Sequence, residues 1–177
     1  MKKVLYILGL LADRDIDWMT STGERQELQP GHVLVREGEM FGAISIIISG
    51  KMGVSVRGKP VAEIGMGEVM GEISLLDSRP PSATVTVLEP TVILAITFHD
   101  LKAKLASDTA FAARVYQALG VFLAQRLRRN NLQLTIGDSK QIDQDMEEMD
   151  EIDPELLEQL TLAGNRFKMI MDKLKVL

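Results

Sequence analysis

The amino-acid sequence points to a mostly β fold flanked by helices, and two observations carry that expectation. Between residues 24 and 98, β-branched residues dominate and glycine recurs at 31, 38, 42, 50, 53, 58, 65, 67 and 71. Short apolar runs lie among and after those glycines, at 33–35, 44–49, 52–56, 61–64, 83–88 and 91–98. Strands of about five to seven residues, spaced about ten apart and joined by glycine turns, indicate a small barrel or a double-sheet jelly roll. On both sides of this region the apolar spacing switches to the helical period. No helix-length segment separates the strands, so a parallel α/β sheet is not expected.

Residues 1–23 read as an N-terminal helical segment, with one helix over 4–22. It turns Leu5, Leu8 and Leu11 inward and stops at Gly23, which supplies a left-handed cap. Lys2-Lys3 and the apolar residues after them imitate a secretory leader. Asp13-Arg14-Asp15 follows instead of an Ala-x-Ala site, so a cytoplasmic protein is expected. Residues 99–137 read as two helices. The first carries Asp100 near its start and turns Leu101 and Leu105 inward; the second is capped at Ser107-Asp108 and spaces Phe111, Val115, Leu119 and Phe122 on one face. Running to Ile136, the second helix is about 29 residues and roughly 43 Å long. Leu123, Leu127, Leu132 and Leu134 would face water on such an overhang. A second copy is the simplest cover, so a homodimer through helix 108–136 is expected. Gly120, which costs about 1 kcal/mol against alanine in a helix interior, is compatible with a close helix crossing.

Residues 138–153 read as an acidic linker and 154–177 as a helical tail. Pro154 opens the tail, Leu156, Leu157, Leu160 and Leu162 follow, and Gly164 interrupts it. A last short helix then carries Phe167, Ile170, Met171, Leu174 and Leu177. That stripe is expected to pack on its own domain or a dimer mate; the sharper alternative is a docking site for a protein partner through 138–177.

Composition removes several function classes. At 177 residues, 46% hydrophobic and with a mean hydropathy of +0.07, the chain is not disordered throughout. It holds no run of about 20 apolar residues that would span a bilayer. With no cysteine and only His32 and His99 as histidines, no thiol nucleophile, zinc finger or metal cluster is expected. Neither a Gly-x-Ser-x-Gly elbow nor a Walker loop is present, so an enzyme is not expected and no catalytic residue is assigned. The net charge of −5 is uneven: residues 138–160 hold ten acids against Lys140 alone. A polyanionic segment repels phosphate backbones, so no nucleic-acid or membrane partner is expected. Arg126, Arg128 and Arg129 form the one basic cluster and read as solvated complements of a helix end.

The informative run is 65–85, Gly-Met-Gly-Glu-Val-Met-Gly-Glu-Ile-Ser-Leu-Leu-Asp-Ser-Arg-Pro-Pro-Ser-Ala-Thr-Val. A glycine-punctuated strand end enters a brief helical turn at 72–76, whose free N–H groups suit an anion. Ser82 and Ala83 are small enough to let a ligand approach the backbone. Glu72 would oppose an anion unless it turns to a ligand hydroxyl, so a sugar phosphate is the natural guest.

This run resembles the phosphate-binding cassette of the cyclic-nucleotide-binding domain family, the catabolite-activator and protein-kinase-A regulatory-subunit type. The family pattern is Gly-Glu-hydrophobic-Ser/Ala-Leu-Leu, then Arg-Pro-Arg-Ser-Ala-Thr-Val. Residues 30–39 and 44–53 resemble its early strands, with Ser45 where an aromatic is usual. The likeness spans roughly residues 5–130 and implies an eight-stranded jelly roll over 24–98, with cyclic AMP or cyclic GMP as ligand and no other cofactor. It implies Gly71, Glu72, Ile73, Ser82 and Ala83 as ligand-binding residues, Glu72 taking the ribose.

The departure is Pro81, which stands where the family places its phosphate-pairing arginine. Proline offers neither a charge nor an N–H. Losing a charge-assisted bond of about 1.5–3 kcal/mol weakens binding roughly ten- to more than a hundredfold. The expectation is a regulatory or interaction module in which cyclic-nucleotide binding is weak or lost. In the alternative, the chain is a working sensor of cyclic AMP, cyclic GMP or another small ligand, with Arg79 supplying the missing charge. Family members regulate an attached winged helix, kinase or channel. The 40 residues after Gly137 show no such unit, so a stand-alone regulator is expected.

Overall fold

A computed structural model of the chain describes residues 5–136 and 154–176. Eight strands form two four-stranded antiparallel sheets, as the sequence led us to expect. Strands β1 (Glu24–Leu28), β8 (Thr91–Thr97), β3 (Ala43–Ser49) and β6 (Val69–Met70) make one sheet in the order β1-β8-β3-β6. Strands β2 (Val33–Val35), β7 (Thr84–Val87), β4 (Lys51–Val56) and β5 (Lys59–Gly65) make the other, in the order β2-β7-β4-β5. The isoleucines of β3 show why this region reads as continuous apolar runs. Ile44, Ile46 and Ile48 pack toward the helices, while Ile47 packs with Met52, Val54 and Val87 between the sheets. A strand covered on both faces needs apolar residues at every position rather than every second one.

Two strands escaped the sequence analysis. β1 is polar, Glu-Arg-Gln-Glu-Leu, and pairs with β8 at the sheet's edge, where one side stays wet. β6 is only two residues long and pairs with Ser45 and Ile46.

The helices cover the β1-β8-β3-β6 sheet. Where one helix was expected over 4–22 there are two, α1 (Leu5–Leu10) and α2 (Asp13–Thr22). The break lies at Leu11-Ala12 because the Asp15 carboxylate turns back to accept the Ala12 N–H at 2.7 Å, starting a new helix. Leu8 and Leu11 are buried as expected. Gly23 is extended (φ −72°) rather than left-handed. It is needed for space: a Cβ there would lie 2.5 Å from Leu94 Cδ1 and 2.8 Å from the Met19 carbonyl oxygen.

After α3 (Glu72–Asp77) and β8 come α4 (Phe98–Ser107) and α5 (Thr109–Ile136). Asp108 caps α5 by accepting the Phe111 N–H at 2.9 Å. Phe111, Val115, Ala118, Leu119 and Phe122 are buried, and Trp18 of α2 meets Phe111 edge-on with ring centroids 5.2 Å apart. Arg114 of α5 donates to both oxygens of the buried Asp15, at 2.6 and 2.8 Å. Leu123, expected to face water, is partly buried against the core, whereas Leu127 remains 61% exposed.

The tail forms one helix, α6 (Pro154–Leu174), which passes through Gly164 without a break. One glycine in a 21-residue helix is a tolerable cost when a face is buried, and here Ala163 and Ile170 are fully buried. α6 packs on α1 and α2 of its own chain. Arg166 donates to Asp13 and to the Leu8 and Gly9 carbonyls at 2.8–3.0 Å, satisfying acceptors that the end of α1 leaves open. Among the described residues, no helix is long and apolar enough to cross a membrane. The acidic linker 138–153 and the side chains of Leu132, Leu134, Leu156, Leu157 and Leu160 lie outside the described residues.

Candidate functional site

The site begins where β6 ends. Gly71 adopts φ +87°, and a Cβ there would sit 2.2 Å from the Ala43 carbonyl oxygen on β3. Only glycine turns the chain this close to its neighbour, and the turn delivers Glu72 as the first residue of α3. Glu72, Ser74 and Leu75 point inward and are buried, while Ile73 and Leu76 lie at the surface. Beyond α3, the Pro81 carbonyl accepts the Gly38 N–H at 2.9 Å, which pins the loop ahead of β7.

These segments enclose a cavity of about 80 Å³. Gly71, Glu72 and Ile73 line one side, and Pro81, Ser82 and Ala83 the other. The structure therefore brings together every residue to which the resemblance assigned ligand binding, apart from the alternative Arg79. Arg79 is exposed just beyond α3, its N–H donates to the Asp77 carboxylate at 2.9 Å, and it does not line this cavity. Small-molecule sites usually measure about 300–1,000 Å³, and this cavity is smaller.

Sequence reasoning missed Arg126. It was expected to be solvated at a helix end, yet from α5 it reaches the cavity and its Nη1 donates to Glu72 Oε1. The guanidinium also lies 5.9 Å from the Phe122 ring centroid. Glu72 is only 3% exposed against 42% for the Arg126 side chain, so the pair is buried at its acid end and open at its basic end. Burial raises the Glu72 carboxyl above its ordinary 4.5, and the Arg126 charge offsets only part of that. No spacing rule joins residues 54 positions apart, so no motif could have flagged this pair.

Ser45 adds a second unusual feature. Its Oγ is fully buried and has no hydrogen-bond partner among the described residues, and it sits on the β3 face that Ile47 turns between the sheets, opposite Met70 of the cavity wall. A separate open groove of about 710 Å³ shares Pro81 and Ser82 with the cavity and is lined by Arg57 and Lys59.

Residues 25–108 match the family described as the cyclic nucleotide-binding domain. The chain is 29% identical over 131 residues to the cyclic AMP receptor protein of Thermus thermophilus, covering 71% of this chain and 59% of that protein. It is 45% identical over 71 residues to a cGMP-dependent protein kinase of Eimeria tenella, covering 40% of this chain and 7% of the kinase. It thus spans less than two thirds of either relative. Among solved structures, the catabolite activator protein of Thermus thermophilus superposes with a TM-score of 0.60 at 25% identity, covering 93% of this chain and 84% of that one. A cyclic nucleotide-binding domain from Methylobacillus flagellatus gives a TM-score of 0.66 at 21% identity over 76% of this chain and 80% of that one, a likeness of fold.

Proposed function

Because this chain belongs to the cyclic nucleotide-binding domain family through residues 25–108, we propose that it is a non-catalytic regulatory module whose nucleotide pocket is held shut. In that state it binds cyclic AMP and cyclic GMP weakly or not at all. One observation supports this above the rest: position 81 lacks a cation, and the cation that does line the cavity, Arg126, is already paired to Glu72. A guest must therefore open the cassette and compete with a carboxylate for the same guanidinium. The alternative in which Arg79 supplies the charge draws no support from its exposed position outside the cavity.

Calorimetric titration with both nucleotides at pH 7.5 tests the proposal. Wild type should bind weakly, and Pro81→Arg should tighten binding about ten- to a hundredfold by restoring a charge-assisted bond. Submicromolar binding by wild type would overturn the shut pocket.

The proposed assembly is a homodimer through helix 108–136. Tyr116, Gly120 and Leu127 support it. They recur at four- and seven-residue steps along α5, both side chains are more than half exposed, and nothing crowds the glycine. Light scattering should find a dimer for wild type and a monomer for Leu127→Lys; an unchanged mass would remove this role from α5. A protein partner acting through 138–177 would not meet Ala163, Phe167, Ile170 or Leu174 of α6, which already pack in the core that α1 and α2 share.

A further inference from the structure

The cavity holds one carboxylate and one guanidinium, and each is the other's partner. The remaining lining residues come from β2, β4, β5, β6, β7, Phe41, α3 and the loop at 81–83, and none of them is ionisable. Among the described residues lining the cavity, Arg126 is thus the one titratable or charged group that faces Glu72. A phosphodiester entering this space brings a second anion to the same guanidinium. Two anions a few ångströms apart, one of them the buried Glu72 carboxylate, cannot both stay charged without a penalty, so one must leave or be neutralised.

We propose that Arg126 is the residue that meets the charge of a phosphodiester guest, and that it becomes available when Glu72 takes up a proton as the guest binds. The inference rests on the reading of this cavity as a shut nucleotide pocket. The exchange balances: solvent supplies one proton, Glu72 becomes a neutral acid, and the guest's single negative charge replaces the carboxylate on the guanidinium. Arg126 suits the exchange because its planar fork pairs equally well with carboxylate and phosphate oxygens. Its side chain is 42% exposed, so it turns toward a guest without first being dug out of the core. Glu72 suits it because burial already favours its neutral form. A neutral carboxylic acid still donates and accepts hydrogen bonds, so it keeps a role toward a sugar hydroxyl. Since Arg126 sits on α5, capture of a guest changes what α5 holds on the cassette, from an internal carboxylate to the ligand.

The inference reverses the ordinary expectation for a ribose-binding glutamate. If Glu72 only held the sugar, Glu72→Gln would weaken binding. Here Glu72→Gln removes the competitor and should tighten cyclic AMP or cyclic GMP by about tenfold or more at pH 7.5, roughly the strength of one charge-assisted bond. Wild-type affinity should rise as the pH falls from 8 to 5.5, by up to about tenfold per unit, the limit for one linked proton. Over that range the phosphodiester remains a monoanion. Titration in two buffers of different ionisation enthalpy should find about one proton taken up by wild type and none by Glu72→Gln. Arg126→Gln should lose both the binding and its pH dependence. The single tryptophan, Trp18, reports whether each variant is folded. PH-independent wild-type affinity, binding by Glu72→Gln no tighter than by wild type, or no binding by either chain at any pH would each overturn this inference. None of these results touches the shut pocket, which fails separately if wild type binds tightly at pH 7.5.

Discussion

Arg114→Ala should destabilise the protein by about 3–5 kcal/mol, the usual cost of stranding one member of a buried ion pair. Asp15 is 2% exposed and receives two hydrogen bonds from Arg114 and one from the Ala12 N–H. Without the guanidinium, the carboxylate keeps its burial and is left with the Ala12 N–H and the largely exposed Arg14, 3.9 Å away. Asp15→Ala should cost less, because Arg114 retains partial access to water at 22% exposure. The pH dependence separates this account from simple loss of packing. Burial alone would raise the Asp15 carboxyl, but the Arg114 hydrogen bonds, the Ala12 N–H and the neighbouring charges together hold it below its ordinary 3.8. A group depressed in the folded state stabilises above its unfolded value, and that contribution fades as the pH falls through the folded value. Wild type therefore keeps the contribution down to about pH 4. In the variant burial, which favours the neutral acid, is less opposed, so the deficit should shrink on acidification. Urea unfolding from pH 7 to 4 should show the widest gap at neutral pH, and a constant gap would assign the loss to packing. The same pair ties α2 to α5, the helix that carries Arg126.

Local chemistry made most of this fold legible before any coordinates. Glycine spacing and doubly covered isoleucine runs gave the jelly roll. The cap at Asp108 marks where α5 begins, because a side chain must satisfy the helix's first N–H groups. Elements defined by long-range pairing were not legible. β1 is a strand because β8 offers it an edge, and its own residues do not demand it. The α1–α2 break depends on one carboxylate turning back three residues and then being fixed by an arginine 99 positions away. Gly164 lies inside a helix because α1 and α2 provide a surface that outweighs the local penalty.

The cassette divides the same way. Gly71, Glu72, Ser82 and Ala83 come together as their spacing suggested, since a strand end, a turn and a short loop are neighbours in sequence. Pro81 was legible as a missing charge. The cation near the cavity was not, because it arrives from a helix whose sequence says only that it is amphipathic. A departure from a motif shows what a site has lost, and only packing shows what moved into its place.

Gly71→Ala should be the most damaging single substitution in the cassette. A side chain at φ +87° already carries a conformational penalty of about 1–2 kcal/mol. The added Cβ would also lie 2.2 Å from the Ala43 carbonyl oxygen and 3.1 Å from the Phe41 ring. The first of these atoms is backbone of β3, whose Ala43 pairs with Thr97 of β8 two residues from the Ser45–Met70 pair with β6, so it cannot step aside without disturbing β8. A total of at least about 2–3 kcal/mol is therefore expected, in the range of mutations that force a core to overpack. Gly58→Ala is the matched control. It has φ +75° but nothing within 4 Å of its Cβ, so it carries the conformational penalty alone. Urea unfolding of both variants isolates the steric part as their difference. Relief of the overlap would swing the start of α3 away from β3 and draw Glu72 from Arg126. Gly71→Ala should then lose the proton uptake that accompanies nucleotide binding while Gly58→Ala retains it. Equal stabilities for the two variants would mean that the cassette turn yields freely, and that its tight approach to β3 is not what places Glu72 against α5.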